Sequence, residues 1–354
     1  MNYLCSVFLI AFLELFNASQ EVELLFAGDA MQHMPQIENA GRAGGTYDYS
    51  GCFKYLEPDI LSADLAVVNL ELPLGGKPYS GYPCFCAPDE FGLQLQKSGF
   101  DLFLTANNHC LDRRDAGLKR TIETLDKYDI DHIGTYRNIA DRDTLMPYIA
   151  DVEGIRIAFL NYTYGTNGIP VQGSVVVDYI DRAKILSDMD KARSNGAQLL
   201  CVCIHWGDEY HLLPNKPQKD LAGFLTDNGA DIIIGGHPHV VQPMEIRHSS
   251  RYNKDVLVVY SLGNFISNMK TTDTRGGAMV KVRLCSDNDG VRLKGASYKL
   301  FYTQTPIPGG NGYMLIPENR TDLLNASHKA NFNAFMRSAN GIFGKYNHDV
   351  EGEK

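Results

Sequence analysis

The sequence is dominated by short apolar runs, rich in β-branched residues, that alternate with longer stretches of helical spacing. This alternation predicts a layered α/β domain. The strand-like runs cover residues 22–28, 65–71, 101–107, 155–163, 199–207, 231–239 and 256–265. Helical spacing of apolar residues is seen at 115–129, 178–196 and 216–229, and one further amphipathic helix is predicted at 321–343.

Polar side chains follow five of these apolar runs at the point where each strand should end. Asn107, Asn108 and His109, which close the run at 101–107, are unsuited to a dry interior. In open α/β sheets, ligands bind at the carboxyl ends of the strands. We therefore expect the strand-end residues to converge on one site: Asp29, Asn69, Glu71, Asn108, His109, His205, His237 and His239.

Each of these residues has a simpler explanation when taken singly. Asp29 could cap a helix, Glu71 could be a solvated loop acid, and His205 could be a hydrogen-bonded core histidine. Together, two carboxylates, an amide and three imidazoles suit divalent Mn, Fe or Zn better than Ca or Mg. They are also too many ligands for one tetrahedral zinc. The set therefore predicts one or two divalent ions, and a two-metal centre is typical of phosphoester hydrolysis.

The segment GGHPHV, residues 235–240, is the most specific local signal. Two histidines two residues apart in an extended chain point the same way, and the glycines before them allow close approach of backbone or solvent. This spacing predicts that His237 and His239 act as a pair.

Charge limits the classes of partner. The formal net charge of −9 argues against a general nucleic-acid binder, because phosphate backbones require a basic surface. An anionic substrate would have to be held by a local metal or a basic pocket.

Three regions are predicted along the chain. Residues 1–20 contain an apolar run that suits a signal peptide or an N-terminal hydrophobic segment, with small residues near Ala18, although no Lys or Arg precedes it. Residues 21–300 form the α/β domain, and 301–354 form a C-terminal helical extension.

The stretch at 73–91, dense in Pro, Gly and aromatic residues, predicts an ordered loop. The alternating Cys201 and Cys203 predict small buried thiols on one face.

Six motifs in this order resemble the CapA family of bacterial capsule and poly-gamma-glutamate synthesis proteins: LFAGDAM, VVNLELPL, TANNHCLDRRDAGL, CIHWGDEY, GGHPHVVQPMEI and YSLGNFI. The resemblance covers about residues 22 to 270. That family is similar in turn to the calcineurin-like metallophosphoesterases. It implies a layered α-β-β-α sandwich, with metal ligands at Asp29, Glu71, Asn108, His205, His237 and His239 and with His109 assisting the leaving group.

Two departures from the metallophosphoesterase pattern are visible. Met31 occupies the place of a ligand histidine, and Glu71 replaces the bridging aspartate; His33 is a candidate substitute for the missing ligand. Around the implied ligands, six residues are expected to support the site or to contact substrate: Asn69, Asn107, Trp206, Glu209, Tyr210 and Asn264. Packing against the sheet is the alternative role of Trp206.

The resemblance implies an extracytoplasmic role in the synthesis or export of an anionic capsule polymer, close to membrane-associated capsule machinery. Two hypotheses follow. The chain is a metal-dependent hydrolase acting on a phosphoester or the polymer, or it is a catalytically weakened polymer-binding or assembly subunit. An intracellular nucleotide phosphoesterase remains a third class if the N-terminal run is not a signal.

Overall fold

The computed structural model describes residues 20–288, 290–307 and 312–353. The expected N-terminal segment therefore lies outside the described residues, apart from Gln20. The strands of the described chain are β1 (Gln20–Ala30), β2 (Leu65–Leu70), β3 (Leu102–Leu104), β4 (Asp131–Ile133), β5 (Thr135–Tyr136), β6 (Tyr148–Val152), β7 (Ile155–Thr163), β8 (Val176–Val177), β9 (Leu199–His205), β10 (Ile232–Gly236), β11 (Met244–Ser249), β12 (Lys254–Val259), β13 (Asn264–Ile266), β14 (Gly276–Asp287), β15 (Gly290–Gln304), β16 (Met314–Pro317) and β17 (Val350–Gly352).

The α-helices are α1 (Met34–Ala40), α2 (Glu57–Ile60), α3 (Asp89–Lys97), α4 (Arg114–Lys127), α5 (Ile139–Leu145), α6 (Arg182–Ser194), α7 (Lys216–Asp227) and α8 (Lys329–Tyr346). Side-chain caps explain where α6 and α7 begin. Asp181 accepts a hydrogen bond from the Lys184 backbone, and Asn215 forms a capping box with Gln218. Across the described residues, no helix is long and apolar enough to span a bilayer.

Two large sheets form the centre of the molecule. The first has the order β16-β15-β14-β1-β2-β3-β4, with β13 paired to β1 and β17 to β15; the second has the order β11-β12-β10-β9-β7-β6. The pairs β1–β2, β2–β3, β9–β10 and β7–β9 are parallel. Their carboxyl ends therefore lie along one edge of each sheet.

The period-2 alternation of the strands divides their side chains between two layers. Phe26 and Val67 of the first sheet share a buried cluster with Phe159, Cys201 and Ile232 of the second. This cluster is the core between the sheets. The Sγ atoms of Cys201 and Cys203 lie 3.9 Å apart on this inner face, which confirms the prediction of buried thiols for this pair.

Helices cover the outer face of each sheet. Leu25 and Val68, one position out of phase with the inner residues, pack with Phe91 and Leu95 of α3. On the second sheet, the outer residues of β7 and β9 pack with Ile185 of α6 and with α7. The molecule is thus a layered α-β-β-α sandwich, which confirms the predicted fold class.

The C-terminal part differs from the sequence-based prediction. The hairpin β14–β15 was not predicted, and β15 runs through residue 300, where the domain boundary was placed. The predicted helix at 321–343 begins later, at Lys329, after two short 3₁₀ turns, and ends at Tyr346. Residues beyond 300 also supply β16 and β17 to the first sheet.

Gly28 allows the end of β1 to lie in close contact with the backbone at Gly263. An added Cβ at Gly28 would lie 1.9 Å from the carbonyl oxygen of Gly263, in the turn before β13. The next residue, Asp29, donates its backbone N–H to the same carbonyl oxygen at 3.0 Å. Gly28 therefore permits the contact between β1 and the chain before β13 that fixes the position of Asp29.

We predict that Gly28→Ala lowers the free energy of unfolding by about 1–3 kcal/mol, because a methyl group there must displace backbone. Urea denaturation measures the change. Gly341→Ala is the matched control: an added Cβ meets open space within α8, and alanine is the better helix former. Equal stability of the Gly28→Ala protein and the parent would contradict the prediction.

Candidate metal centre

Three strand ends of the first sheet meet at Asp29. In the parallel register, Asp29 lies opposite Asn69 of β2 and Asn264 of β13. Asn69 Nδ2 donates to Asp29 Oδ1 at 2.8 Å and to Glu71 Oε2 at 3.3 Å. Both carboxylates are completely buried. The amide of Asn69 thus holds two acidic side chains side by side in the interior.

The second sheet delivers its histidines to the same place. His205 ends β9, next to Gly236 of β10, and His237 and His239 follow directly. The backbone N–H of His237 donates to Asp29 Oδ2 at 3.1 Å, and His239 Nδ1 lies 3.4 Å from the same oxygen. His237 has φ of +97°, a value rare for residues other than glycine. The HPH segment is therefore a tight turn that joins the two sheets at Asp29.

Ligand atoms converge in three overlapping groups among the described residues. Within each group the atoms lie within 4.8 Å of one another. The groups are Glu71, His205 and His237; Asp29, Glu71 and His239; and Glu209, His237 and His239. Five of the six residues predicted as metal ligands are thus brought together, and Glu209, predicted as a supporting residue, joins them. Glu71 belongs to two of the groups, and its carboxylate has two oxygens that could each bind one of two neighbouring ions.

The burial of these groups sets their charge. Burial, and then the neighbouring charge of Asp29, raises the pKa of Glu71 well above its usual range. Burial would also raise the pKa of Asp29, but hydrogen bonding from His239 and the nearby imidazoles hold it well below its usual range. Burial lowers the pKa of His205 strongly and that of His237 to about 3. His205 and His237 are therefore neutral at pH 7, which is the form that binds metals.

Two buried polar atoms test whether a cation fits here. Glu71 Oε1 and His237 Nδ1 have no hydrogen-bond partner among the described residues. Unpartnered buried polar atoms are costly and rare in native structures. Both atoms belong to residues of the converging groups, and His239 Nε2 lies 3.8 Å from Glu71 Oε1. The residues present therefore fit a divalent cation.

The turn after β3 places the three polar residues in separate roles. Asn107 Nδ2 donates to Asn69 Oδ1 at 3.1 Å and to the Leu70 carbonyl oxygen at 2.9 Å, while its Oδ1 accepts from the His109 backbone N–H at 3.2 Å. Asn108 Oδ1 accepts from His205 Nε2 at 2.9 Å. Asn107 therefore braces the turn, and Asn108 faces the imidazoles.

His109 is held by two residues that the sequence did not single out. Its Nδ1 donates to Asp112 Oδ2 at 2.7 Å, and its ring packs edge-on against Phe85 with centroids 4.6 Å apart. Phe85 comes from the 73–91 loop. Asp112 lies three residues after His109, a spacing that could have identified it. Since Asp112 occupies Nδ1, Nε2 is the nitrogen left to exchange a proton.

The family relationship is decided by the central part of the sequence. A family model described as "Bacterial capsule synthesis protein PGA_cap" matches residues 23–269. The chain belongs to this family of bacterial capsule synthesis proteins. This finding confirms the resemblance recognised in the six motifs.

Two curated members of the capsule synthesis family are similar over most of this chain. The PGA biosynthesis protein CapA of Bacillus subtilis (strain 168) is 32% identical over 285 residues, covering 75% of this chain and 68% of that protein. The capsule biosynthesis protein CapA of Bacillus anthracis is 29% identical over 279 residues, covering 75% and 64%. The chain thus spans about two thirds of the length of these curated relatives.

The fold is also similar to that of the NAD nucleotidase (NadN) of Haemophilus influenzae. The TM-score is 0.52 at 12% sequence identity, over 95% of this chain and 64% of that chain. This likeness concerns the fold alone, which is that of the calcineurin-like metallophosphoesterases.

The predicted supporting residues of this capsule synthesis protein fall into two groups. Asn264 Oδ1 lies 3.1 Å from His239 Nδ1, and the ring of Tyr210 lies 6.1 Å from that of His239. Trp206 is different. Its indole is buried with Tyr260 on the outer face of the second sheet and donates to the Tyr260 carbonyl oxygen at 2.9 Å. This packing is the alternative role that the sequence left open for Trp206.

Met31 and His33 do not complete the pattern seen in metallophosphoesterases. Met31 is buried among apolar side chains. His33 begins α1, where its Nδ1 lies 3.2 Å from Gln36 Oε1 and accepts from the Asn268 backbone N–H at 3.3 Å. Within the part of the chain that the structure describes, His33 joins none of the three converging groups.

We predict that the double variant His237→Ala/His239→Ala loses affinity for divalent Mn, Fe or Zn by more than about 100-fold, because removing even a supporting partner of a ligand costs about 10- to 100-fold. Metal content after growth with all three metals, and titration of the stripped protein, measure the loss. His248→Ala is the matched control, since the half-exposed imidazole of His248, on the edge strand β11, pairs with Asp255 of β12. Unchanged metal content in the double variant would refute the assignment.

Proposed function

We propose that this family member is a metal-dependent hydrolase that cleaves a phosphoester during the synthesis or export of a capsule polymer of the poly-gamma-glutamate type. The observation that carries the proposal is the group of buried carboxylates and imidazoles at the joined sheet edges, in which Glu71 Oε1 and His237 Nδ1 have no hydrogen-bond partner among the described residues. The His109–Asp112 pair beside it supports hydrolysis over simple binding.

The residues proposed to hold one or two ions of Mn, Fe or Zn are Asp29, Glu71, Asn108, His205, His237 and His239. Divalent cations in such a site supply Lewis-acid stabilisation for the oxygens of the reacting phosphoryl group. Asn69 keeps the carboxylates of Asp29 and Glu71 adjacent, and Asn264 orients His239 through its Nδ1. The chain therefore fixes its ligands before a substrate arrives.

His109 is proposed as the general acid. The Asp112 carboxylate accepts from Nδ1, which fixes the tautomer and the ring orientation. Phe85 packs against the ring and limits its rotation. Proton transfer from Nε2 to the leaving oxygen is the step that these two contacts prepare.

The biological setting is proposed from the family. The relatives are described as capsule or PGA biosynthesis proteins, so an anionic polymer or its phosphoester precursor is the proposed substrate. An extracytoplasmic location, with the N-terminal segment as signal or anchor and with membrane-associated capsule machinery as partner, accords with that setting. The separation of residues 1–20 from the α/β domain remains part of the proposal.

The second candidate is a catalytically weakened subunit that binds or assembles the polymer. The observation that favours it is Met31, an apolar residue at a position where metallophosphoesterases have a ligand histidine. In a capsule-producing host, this candidate requires that His109→Ala leaves capsule production intact, whereas deletion of the 73–91 loop abolishes it.

For the hydrolase, we predict that His109→Ala lowers kcat on phosphomonoesters and phosphodiesters by about 10²- to 10⁴-fold, the usual contribution of a general acid. Asp112→Asn should lower kcat in the same direction. Steady-state kinetics of the metal-loaded protein provide the measurement, together with metal content to exclude loss of the ions. His248→Ala serves as control, and full activity of His109→Ala would rule out this role.

A further inference from the structure

Three tyrosines from three different loops leave much of their side chains in solvent around the metal centre. Tyr82, Tyr164 and Tyr210 are 72%, 47% and 54% exposed. Tyrosine usually buries most of its ring, and exposed aromatic side chains that cluster mark a binding surface. We call these three residues the tyrosine rim.

Two residues of the rim have ring contacts with ligand histidines, and the third contacts the residue that packs on His109. The Tyr164 ring lies 4.6 Å from that of His237 and is nearly parallel to that of His205 at 6.3 Å. Tyr210 faces His239. Tyr82 lies 6.2 Å from Phe85, which packs on His109. The rim therefore borders both the metal ligands and the proposed general acid.

Backbone conformation and a backbone hydrogen bond fix the position of Tyr210 in the rim. Tyr210 has φ of +66°, a left-handed conformation that bulky residues rarely adopt, and its N–H donates to the Pro238 carbonyl oxygen at 2.8 Å.

The carboxylate of Glu209, next to the rim, limits the charge of a substrate group that packs on the tyrosines. Glu209 Oε1 lies 3.9 Å from His239 Nε2, and its side chain is 39% exposed. A carboxylate at this position disfavours a second negative charge on the adjacent part of the substrate. Exposed tyrosine rings favour a flat, uncharged face that stacks on them.

We infer that the substrate is a phosphoester whose esterified group carries a ring, which packs on the tyrosine rim while the phosphoryl group meets the metal ligands. A nucleoside and a hexose share this chemistry. The inference rests on the proposed phosphoester hydrolysis and specifies its substrate class.

The test compares three phosphomonoesters of similar charge on the metal-loaded full chain: a nucleoside 5′-monophosphate, a hexose 1-phosphate and the ring-free glycerol 3-phosphate. We expect at least one ring-bearing substrate to have the higher kcat/KM. Tyr82→Ala, Tyr164→Ala and Tyr210→Ala should each lower the ratio of ring-bearing to ring-free kcat/KM by about 5- to 100-fold. The ratio cancels any general damage to the metal centre.

Two further variants sharpen the result. Tyr→Phe at the same positions should keep the ratio, because stacking does not need the hydroxyl group. Tyr252→Ala should not change it, since Tyr252 packs among Arg193, Arg251 and Lys254, away from the site. Comparison of kcat/KM for the nucleoside 5′-monophosphate and the hexose 1-phosphate shows which ring is preferred. Equal ratios in the parent and in all three Ala variants would overturn the inference.

The failure of the proposed function gives a different result. If no phosphoester is hydrolysed, the hydrolase proposal is rejected. Calorimetric titration with the same three compounds then tests whether the tyrosine rim binds a ring. Tighter binding of a ring-bearing compound that is lost in the Ala variants supports it. Binding that is absent, or unaffected by the variants, overturns it, as does a change confined to the oligomeric state, which would assign the rim to a protein interface.

Discussion

The arrangement of the two sheets at the site depends on the buried carboxylate of Asp29. One oxygen accepts from the side chain of Asn69 on the neighbouring strand, and the other accepts from the backbone of His237, beyond the second sheet. A buried carboxylate is tolerated only when donors surround it. Because those donors come from both sheets, satisfying this one charge also sets the position of the HPH turn relative to β1.

Much of the fold could be predicted from the sequence because each predicted strand is either apolar on both faces or alternates regularly between the two faces. The apolar runs at 22–28 and 199–207 have no competing interpretation, and β1 and β9 form there. The hairpin β14–β15 was missed for the opposite reason. Its charged residues, such as Lys281 and Arg283, alternate with apolar ones along a partly solvated surface, so its apolar signal is weak.

The candidate site was predictable in its residue types and less so in its contacts. The strand-end pattern identified Asp29, Glu71 and the histidines because parallel strands must present their carboxyl ends together. Long-range partners left no such pattern: Phe85 reaches His109 from a loop of irregular sequence. For Trp206 the sequence left two roles open. Packing in the outer layer follows from strand geometry, since successive residues point to opposite faces and His205 faces the site.

The hydrogen bond between His237 and Asp29 joins residues separated by 208 positions in the chain. Contacts of such separation form late, because closing a long loop costs entropy before any contact repays it. Two of the three ligand groups combine Glu71 with histidines of the second half of the chain, so neither half can form them alone. An ion bound by either of these two groups can recognise only the assembled molecule, so its affinity would report the docking of the two sheets, and its binding would stabilise that docked state rather than either sheet alone.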